Sequence, residues 1–134
     1  MHPVMDHIAL NVEETESMIT FYTEILGGTP ERLEAYHGGE VAFPSVRLNP
    51  DTVIDLFPPK MWCQYGAIQR GITSMNHFCM AMDKEEWEAL YERLQNSGIV
   101  IEEGPDPRWG AHGTGTSIYF RDPEGNLLEA RYYA

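Results

Sequence analysis

The sequence contains an internal repeat, and this repeat restricts the possible fold more than any other feature. Each half of the chain has an apolar strand pattern, then a helical pattern that ends near glycine, then three further strand patterns. His77 follows His7 at the same separation at which Gly98 follows Gly28. Like residues at one fixed separation indicate duplicated structural units. We therefore predict an α+β fold of two tandem βαβββ modules, which form a cupped mixed β-sheet with the helices outside.

The boundaries of the predicted elements follow from hydrophobic periodicity and from Gly, Pro and Asn at the breaks. Helices are predicted over Glu14–Leu26 and Lys84–Asn96. Strands are predicted over Met5–Val12, Arg32–Tyr36, Glu40–Leu48, Thr52–Phe57, Met75–Met82, Ile99–Glu102 and the two arms of a hairpin within Thr116–Tyr133. The Gly- and Pro-rich segment Gly104–Gly115 is predicted to be a loop that closes over a site.

These elements are interpreted as one domain over residues 1–134. Module one lies at about 4–57 and module two at about 74–134. Residues 58–73 have no clear period, and we predict that they form a linker with room for a short helical turn. How the two modules pair, within one chain or by exchange between two chains, is left open by the sequence.

The C-terminal hairpin contains an acid that needs an explanation. Pro123 and Gly125 supply the backbone angles of a tight turn between its arms. Glu129 lies in the middle of the second, otherwise apolar arm, on the same strand face as Leu127 and Arg131. Because burial of an unpaired carboxylate is costly, Glu129 is expected to bind something.

Three other residues occupy corresponding positions of the repeat. His7 and His77 lie in the first strand of their modules, and Asp55 lies in the last strand of module one, as Glu129 does in module two. Two related modules that pair their sheets would bring these four side chains together. Imidazoles and carboxylates are ligands of divalent transition metals, so we predict a site for Fe²⁺, Mn²⁺, Zn²⁺, Ni²⁺ or Co²⁺.

Each of these residues also has an ordinary structural interpretation. A single histidine in a strand is usually a hydrogen-bonded structural residue, and a single strand acid is often a solubilising edge charge. Their joint occurrence in the repeat favours the metal site. Asp55 has two further interpretations, as a hydrogen-bond acceptor behind the ligands and as a general base. Cys79 shares the face of His77 but has no identifiable base, so we interpret it as a packing residue, and no catalytic residue is predicted.

Composition and charge exclude several classes of function. The chain has 134 residues with 9 Lys and Arg against 21 Asp and Glu, and its formal net charge is −12. This balance argues against nucleic acid and against an anionic membrane surface as partners. The sequence has only 2 cysteines and no apolar run of membrane-spanning length or signal-peptide pattern. We expect a soluble cytoplasmic protein that acts on a small molecule and forms a homodimer.

Five segments resemble the vicinal oxygen chelate superfamily, which includes glyoxalase I, fosfomycin- and bleomycin-resistance proteins and type I extradiol dioxygenases. They are DHIALNV, FYTEILGG, TVIDLF, NHFCMAM and IYFRDPEGNLLEARYY, and they span nearly the whole chain. By this resemblance His7, His77 and Glu129 match the shared metal ligands. Asp55 matches the position that holds a Glu in four-ligand glyoxalase I enzymes. The resemblance implies a metal-dependent enzyme of the glyoxalase or dioxygenase type.

Three functions therefore remain in view. The first is an enzyme whose metal binds two adjacent oxygens of a substrate, with lyase, isomerase, transferase or dioxygenase chemistry. The second is a protein that sequesters a drug-like ligand in the same cup without turnover. The third is a module in which the metal only stabilises the fold.

Overall fold

The computed structural model describes residues 5–65 and 75–134. The chain divides into two units, Met1–Gln69 and Arg70–Ala134. Each unit contains one four-stranded mixed sheet, and the order of strands is the same in both. The predicted α+β class and the βαβββ repeat are thus confirmed. The pairing of the two sheets into one cup stays a prediction.

The first unit has its sheet in the order β1-β4-β3-β2, in which β1 is parallel to β4 and the other pairs are antiparallel. Its strands are β1 His7–Asn11, β2 Thr29–Glu31, β3 Ser45–Asn49 and β4 Thr52–Phe57. Its helices are α1 Thr15–Thr20, which continues as a π-helical turn over Phe21–Ile25, α2 Leu33–His37 and α3 Pro59–Trp62, which continues as a 3₁₀ turn over Cys63–Tyr65.

The helix predicted over Glu14–Leu26 is present, but its second half has π-helical hydrogen bonding. The backbone N–H of Leu26 donates to the carbonyl of Phe21 at 2.9 Å, which is an i to i+5 bond. Met18 and Tyr22 on its inner face are fully buried. Gly28 follows at a position where a β-carbon would overlap the side chain of Val46, so the chain needs glycine there to return to the sheet.

The second unit repeats this arrangement in the order β5-β8-β7-β6, with β5 parallel to β8. Its strands are β5 Phe78–Ala81, β6 Glu103–Gly110, β7 Gly113–Arg121 and β8 Leu127–Tyr132. Its long helix is α4 Lys84–Asn96. The core of this unit is apolar and almost fully buried, and it contains Leu90, Leu94, Ile118, Phe120 and Leu128.

Helix α4 begins and ends where the sequence predicts. The backbone N–H of Glu86 donates to the carboxylate of Asp83 at 2.9 Å, which satisfies an N-terminal donor that has no partner inside the helix. The indole N–H of Trp87 donates to the carbonyl of Ala130 at 2.9 Å and attaches the helix to β8. Gly98, with φ of +70°, ends the helix in the left-handed region.

The Asp83 cap gives a small, specific prediction. Asp83→Ala should lower the free energy of unfolding by about 1 kcal/mol, because the first turn of α4 loses its capping acceptor. Urea unfolding followed by circular dichroism measures this loss. Glu92→Ala, on the exposed face of the same helix, should change the free energy by no more than about 0.5 kcal/mol. Equal losses in the two variants would show that the cap contributes nothing.

The strand predicted over Arg32–Tyr36 is wrong, because this segment turns into helix α2. Leu33, Glu34 and Ala35 have good helix propensity, and the backbone N–H of Tyr36 donates to the carbonyl of Arg32 at 2.8 Å. The short strand β2 lies just before it, over Thr29–Glu31. The strand predicted from Glu40 begins only at Ser45, because Glu40 still bonds back to Ala35 at the end of α2.

The loop predicted over Gly104–Gly115 is also wrong. This segment forms most of β6, a turn, and the start of β7, whereas Ile99–Glu102, predicted as a strand, lies outside the strands. Pro105 and Pro107 cannot donate a backbone hydrogen bond, but β6 is the edge strand of its sheet and tolerates them. The segment is therefore a sheet edge rather than a lid.

The predicted linker begins as expected. A helical turn, α3, follows β4, and the indole N–H of Trp62 donates to the carbonyl of Phe57 at 2.9 Å. Residues 66–73 of the predicted linker lie outside the described residues. In the described part of the chain, no helix has the length and apolar character needed to cross a membrane.

Candidate functional site

Glu129 is an acid in the interior of the second unit. It lies in the middle of β8, between β5 and β7, where Cys79 and Tyr119 are its partners in the two strand ladders. Its exposed fraction is only 2%. The solvated edge charge considered from the sequence is thus excluded, and the carboxylate must be stabilised by neighbouring groups.

The two carboxylate oxygens of Glu129 have different neighbours. Oε2 accepts hydrogen bonds from Ser117 Oγ and from Arg131 Nη2, both at 2.6 Å. Oε1 faces His77 Nε2 at 3.0 Å. Burial raises the pKa of Glu129, but the hydrogen bonds from Ser117, Arg131 and Tyr119 outweigh it, so its pKa lies below the ordinary value. Glu129 is therefore a carboxylate at neutral pH.

Arg131 is the cation that allows this carboxylate to be buried. The side chains of Arg131 and Glu129 are only 5% and 3% exposed. Arg131 was grouped with Glu129 on one strand face from the sequence, but its role as the ion-pair partner was missed. Alternation along β8 places residues i and i+2 on the same face, so a search for a basic residue two positions from the acid would have found it.

The ring of His77 has a second contact, at Nδ1, the nitrogen that does not face Glu129. Nδ1 lies 2.7 Å from Asn76 Oδ1, and the ring is 33% exposed. When Nδ1 donates its proton to this amide oxygen, the lone pair of the neutral ring lies on Nε2, which faces Glu129 Oε1. The 3.0 Å contact has the length of a hydrogen bond, and an ion that replaced the proton between Nε2 and Oε1 would have a ligand atom on each side.

The His77–Glu129 pair fits a divalent metal. Ligand atoms about 2.1 Å from an ion and at right angles to each other are separated by about 3 Å. The observed separation of 3.0 Å between Nε2 and Oε1 agrees with this value. An imidazole nitrogen and a carboxylate oxygen are also the ligand types that such an ion prefers. The chemistry of the pair fits two adjacent metal ligands, and its 3.0 Å spacing suits such ligands as well as a hydrogen bond.

The first unit contains a similar but more open arrangement. Asp55 in β4 lies opposite Ala9 of β1, as Glu129 lies opposite Cys79 in the second unit. Ser45 Oγ donates to Asp55 Oδ1 at 2.6 Å, the same kind of contact that Ser117 makes with Glu129. The repeat therefore places an acid with a serine donor at the centre of each sheet, a feature that the sequence did not reveal.

His7 lies at the start of β1 and is exposed. Its Nδ1 lies 2.7 Å from Asp6 Oδ2, and its side chain is 51% exposed. The hydrogen bond that His7 donates to Asp6 raises the pKa of His7 against a smaller opposing effect of burial, and the negative charge of Asp55 raises it further. His7 and Asp55 thus interact electrostatically within their unit.

The second unit thus brings two of the predicted ligands, His77 and Glu129, into direct contact. In the first unit His7 contacts Asp6, and Asp55 acts on it only through its charge. The convergence of the four residues on one ion stays a prediction, because they belong to two different units. Within residues 5–65 and 75–134, no group of three or more His, Cys, Asp or Glu side chains is placed to hold a metal.

Cys79 is a poor nucleophile in this environment. Burial, the largest influence, raises the pKa of its thiol to about 11, and the charge of Glu129 adds to this effect while Arg131 opposes it. At neutral pH the thiol is therefore protonated, and the thiolate that would react is scarce. Cys79 is nevertheless exposed in the structure, so its interpretation as a packing residue is not supported.

Comparison with known proteins identifies the family. A sequence model of the Glyoxalase/Bleomycin resistance protein/Dioxygenase superfamily matches residues 4–130. The chain belongs to this superfamily. Its superfamily relatives include virulence protein STM3117 of Salmonella typhimurium, which is 32% identical over 96% of this chain and 83% of that protein. The crystal structure of STM3117 superposes with a TM-score of 0.75 and 27% identity, covering 100% of this chain and 98% of that one.

Two other superfamily relatives have named activities. Glutathione transferase FosA of Serratia marcescens is 27% identical and covers 93% of this chain and 77% of the enzyme. Metallothiol transferase FosB of Shouchella clausii is also 27% identical with the same coverage. Superfamily membership supports a metal-dependent function of the vicinal oxygen chelate type, and members typically use a divalent metal and act on small molecules.

Proposed function

We propose that this protein is an enzyme that uses one divalent metal ion to act on a small substrate with two adjacent oxygens. His7, His77 and Glu129 would hold the ion, with Asp55 as a fourth ligand, an acceptor behind the ligands, or a base. The observation that carries the proposal is the 3.0 Å contact between His77 Nε2 and the one carboxylate oxygen of Glu129 that Ser117 and Arg131 leave available.

The chain's own residues prepare this site. Ser117 and Arg131 keep Glu129 ionised in spite of its burial, and Asn76 orients the ring of His77. The divalent ion, when bound, would supply Lewis-acid polarisation of the substrate oxygens. Tyr119 lies beside Glu129 and keeps its proton, because burial and the hydrogen bond to Glu129 both raise its pKa. It is therefore a hydrogen-bond donor at neutral pH.

The proposal leaves the reaction class broad. Lyase, isomerase, transferase and dioxygenase chemistry all fit a metal with open coordination positions. The names of FosA and FosB favour transfer of a thiol to the substrate. A cytoplasmic location and a homodimer are also part of the proposal, and light scattering after size-exclusion chromatography tests the dimer.

Metal content is the decisive measurement. A shared proton could hold His77 and Glu129 together as an ordinary ion pair, so the metal must be shown directly. We expect elemental analysis of protein purified without chelators to find about one divalent ion per chain. His77→Ala should abolish this occupancy, because it removes one of the adjacent ligands.

The matched control is His37→Ala, which removes a half-exposed histidine that pairs with Glu16 at the surface. This variant should keep its metal. If His77→Ala retained the same occupancy as His37→Ala, the assignment of the site would be wrong. If the wild-type protein bound a small ligand tightly but showed no turnover with any metal, sequestration would replace the enzymatic function.

A further inference from the structure

We propose that Arg131 is a positioning residue that fixes Glu129 as a metal ligand through a single oxygen, Oε1, and that Gly110 supplies the space for its guanidinium. This inference rests on the proposed function, because it concerns the same carboxylate. Arg131 itself would contact neither the ion nor the substrate. Its effect would pass through the orientation of Glu129.

The first support is the asymmetry of the carboxylate. Oε2 accepts two hydrogen bonds of 2.6 Å, one from a neutral hydroxyl and one from a guanidinium. Hydrogen bonds between charged groups are about twice as strong as neutral ones. Rotation of the carboxylate to present Oε2 to an ion would break the bond to Arg131. Glu129 is therefore restrained to offer only Oε1 in the direction of His77.

The second support is the fixed position of the guanidinium. Arg131 Nη2 also donates to the carbonyl of Trp109 at 3.0 Å, and Nη1 donates to the carbonyl of Arg108 at 3.3 Å and to the hydroxyl of Tyr133 at 3.4 Å. Two of these acceptors are backbone atoms of the edge strand β6. The guanidinium therefore ties β6 to the carboxylate in β8, and its own position does not depend on Glu129 alone.

The third support is the space at Gly110. A β-carbon at this position would overlap Arg131 Nη1 and would lie 2.6 Å from Cζ and 2.7 Å from the hydroxyl of Tyr133. Any larger residue would push the guanidinium away from Glu129. The absence of a side chain at Gly110 is thus required by the present position of Arg131.

A ligand fixed through one oxygen has a functional consequence. A carboxylate that is free to turn can bind an ion through both oxygens, and it then occupies two coordination positions. Restraint by Arg131 keeps one of these positions open. A substrate that binds through two adjacent oxygens needs such open positions, so the restraint favours substrate binding over a closed metal site.

The test uses Co²⁺ as the probe and the whole 134-residue chain. Co²⁺ affinity is measured by competition with a chromogenic chelator, and the intensity of the visible d–d absorption reports the coordination number. The variants are Gly110→Ala, Arg131→Lys and the double variant. The matched control is Arg121→Lys, the same substitution in an exposed ion pair with Glu102. Thermal unfolding of the metal-free variants separates effects on stability.

We expect Gly110→Ala and Arg131→Lys each to weaken Co²⁺ binding by about 10–100-fold, the usual effect of disturbing a group that orients a ligand. The visible absorption should change in both, and Arg121→Lys should match the wild type. The losses should not add in the double variant, because both act through the same guanidinium. If either single variant fails to fold, the other single variant and Ser117→Ala, which removes the second donor to Oε2, carry the test.

Unchanged Co²⁺ affinity and absorption in variants with lower thermal stability would overturn the proposal and show that Arg131 only stabilises the fold. Additive losses in the double variant would overturn the role of Gly110. If the wild-type chain itself bound no Co²⁺ or other divalent ion, the proposed function would fail, and this inference with it. The result for the wild type therefore distinguishes the two failures.

Discussion

Arg131→Met should lower the free energy of unfolding by about 3–5 kcal/mol, the usual cost of removing one partner of a buried ion pair. The substitution keeps much of the side-chain volume but leaves the carboxylate of Glu129, which is 2% exposed, without its cation. Ser117 would remain as a donor to Oε2, but a neutral hydroxyl does not compensate a buried charge. Urea unfolding of the metal-free protein at neutral pH measures the loss.

Two comparison variants test the cause of this loss. Arg121→Met makes the same change in an ion pair whose side chains are 47% and 39% exposed, and it should cost no more than about 1 kcal/mol. In the double variant Glu129→Gln with Arg131→Met, the buried charge is absent, so part of the stability should return. Similar losses for Arg131→Met and Arg121→Met would contradict the view that burial makes the pair important.

The regular elements could be predicted where local signals agree. The strand Thr52–Phe57 and the helix Lys84–Asn96 have the predicted boundaries, because the first lies between clear turn residues and the second has an N-terminal cap, an apolar stripe and a terminal glycine. The prediction for Gly104–Gly115 was wrong because the local signals there are misleading. The Gly and Pro content of the segment predicts a loop, but an edge strand pairs on only one side and tolerates residues that an inner strand excludes.

The acid at the centre of the candidate site could be predicted, but most of its supports could not. Glu129 stands out because it interrupts an apolar strand, and such a position needs an explanation. Ser117 contacts it only because β7 and β8 pair in one particular register, with Tyr119 opposite Glu129. The sequence locates the turn of this hairpin, but it does not show which side chain of β7 reaches the carboxylate. Ser45 was missed for the same reason, since its contact with Asp55 depends on the pairing of β3 with β4.

The turn that sets the β7–β8 register leads to the second large effect, expected for Asp122→Ala. Asp122 is only 4% exposed, and its Oδ1 accepts hydrogen bonds from the backbone N–H groups of Glu124 at 2.9 Å and Asn126 at 3.0 Å. Its Oδ2 accepts a third bond from the side-chain amide of Asn126 at 2.7 Å. Alanine would leave these donors without their charged acceptor, and hydrogen bonds to charged groups contribute about 1.5–3 kcal/mol each.

Water can reach part of the turn, so we expect a total loss of about 2–4 kcal/mol in the free energy of unfolding rather than the full sum. Asp122→Asn keeps an oxygen acceptor for both backbone donors and should lose only about 1 kcal/mol. Asp51→Ala, in the exposed turn between β3 and β4, should change stability by less than about 0.5 kcal/mol. Urea unfolding measures the free energy of unfolding of the three variants. If Asp122→Ala lost no more than Asp51→Ala, the carboxylate would not be what holds this turn. If Asp122→Ala loses the predicted stability, the substitution should also increase the rate of hydrogen exchange more in β8 than in α4. The reason is that the register of β8, the strand that carries Glu129, begins at this turn.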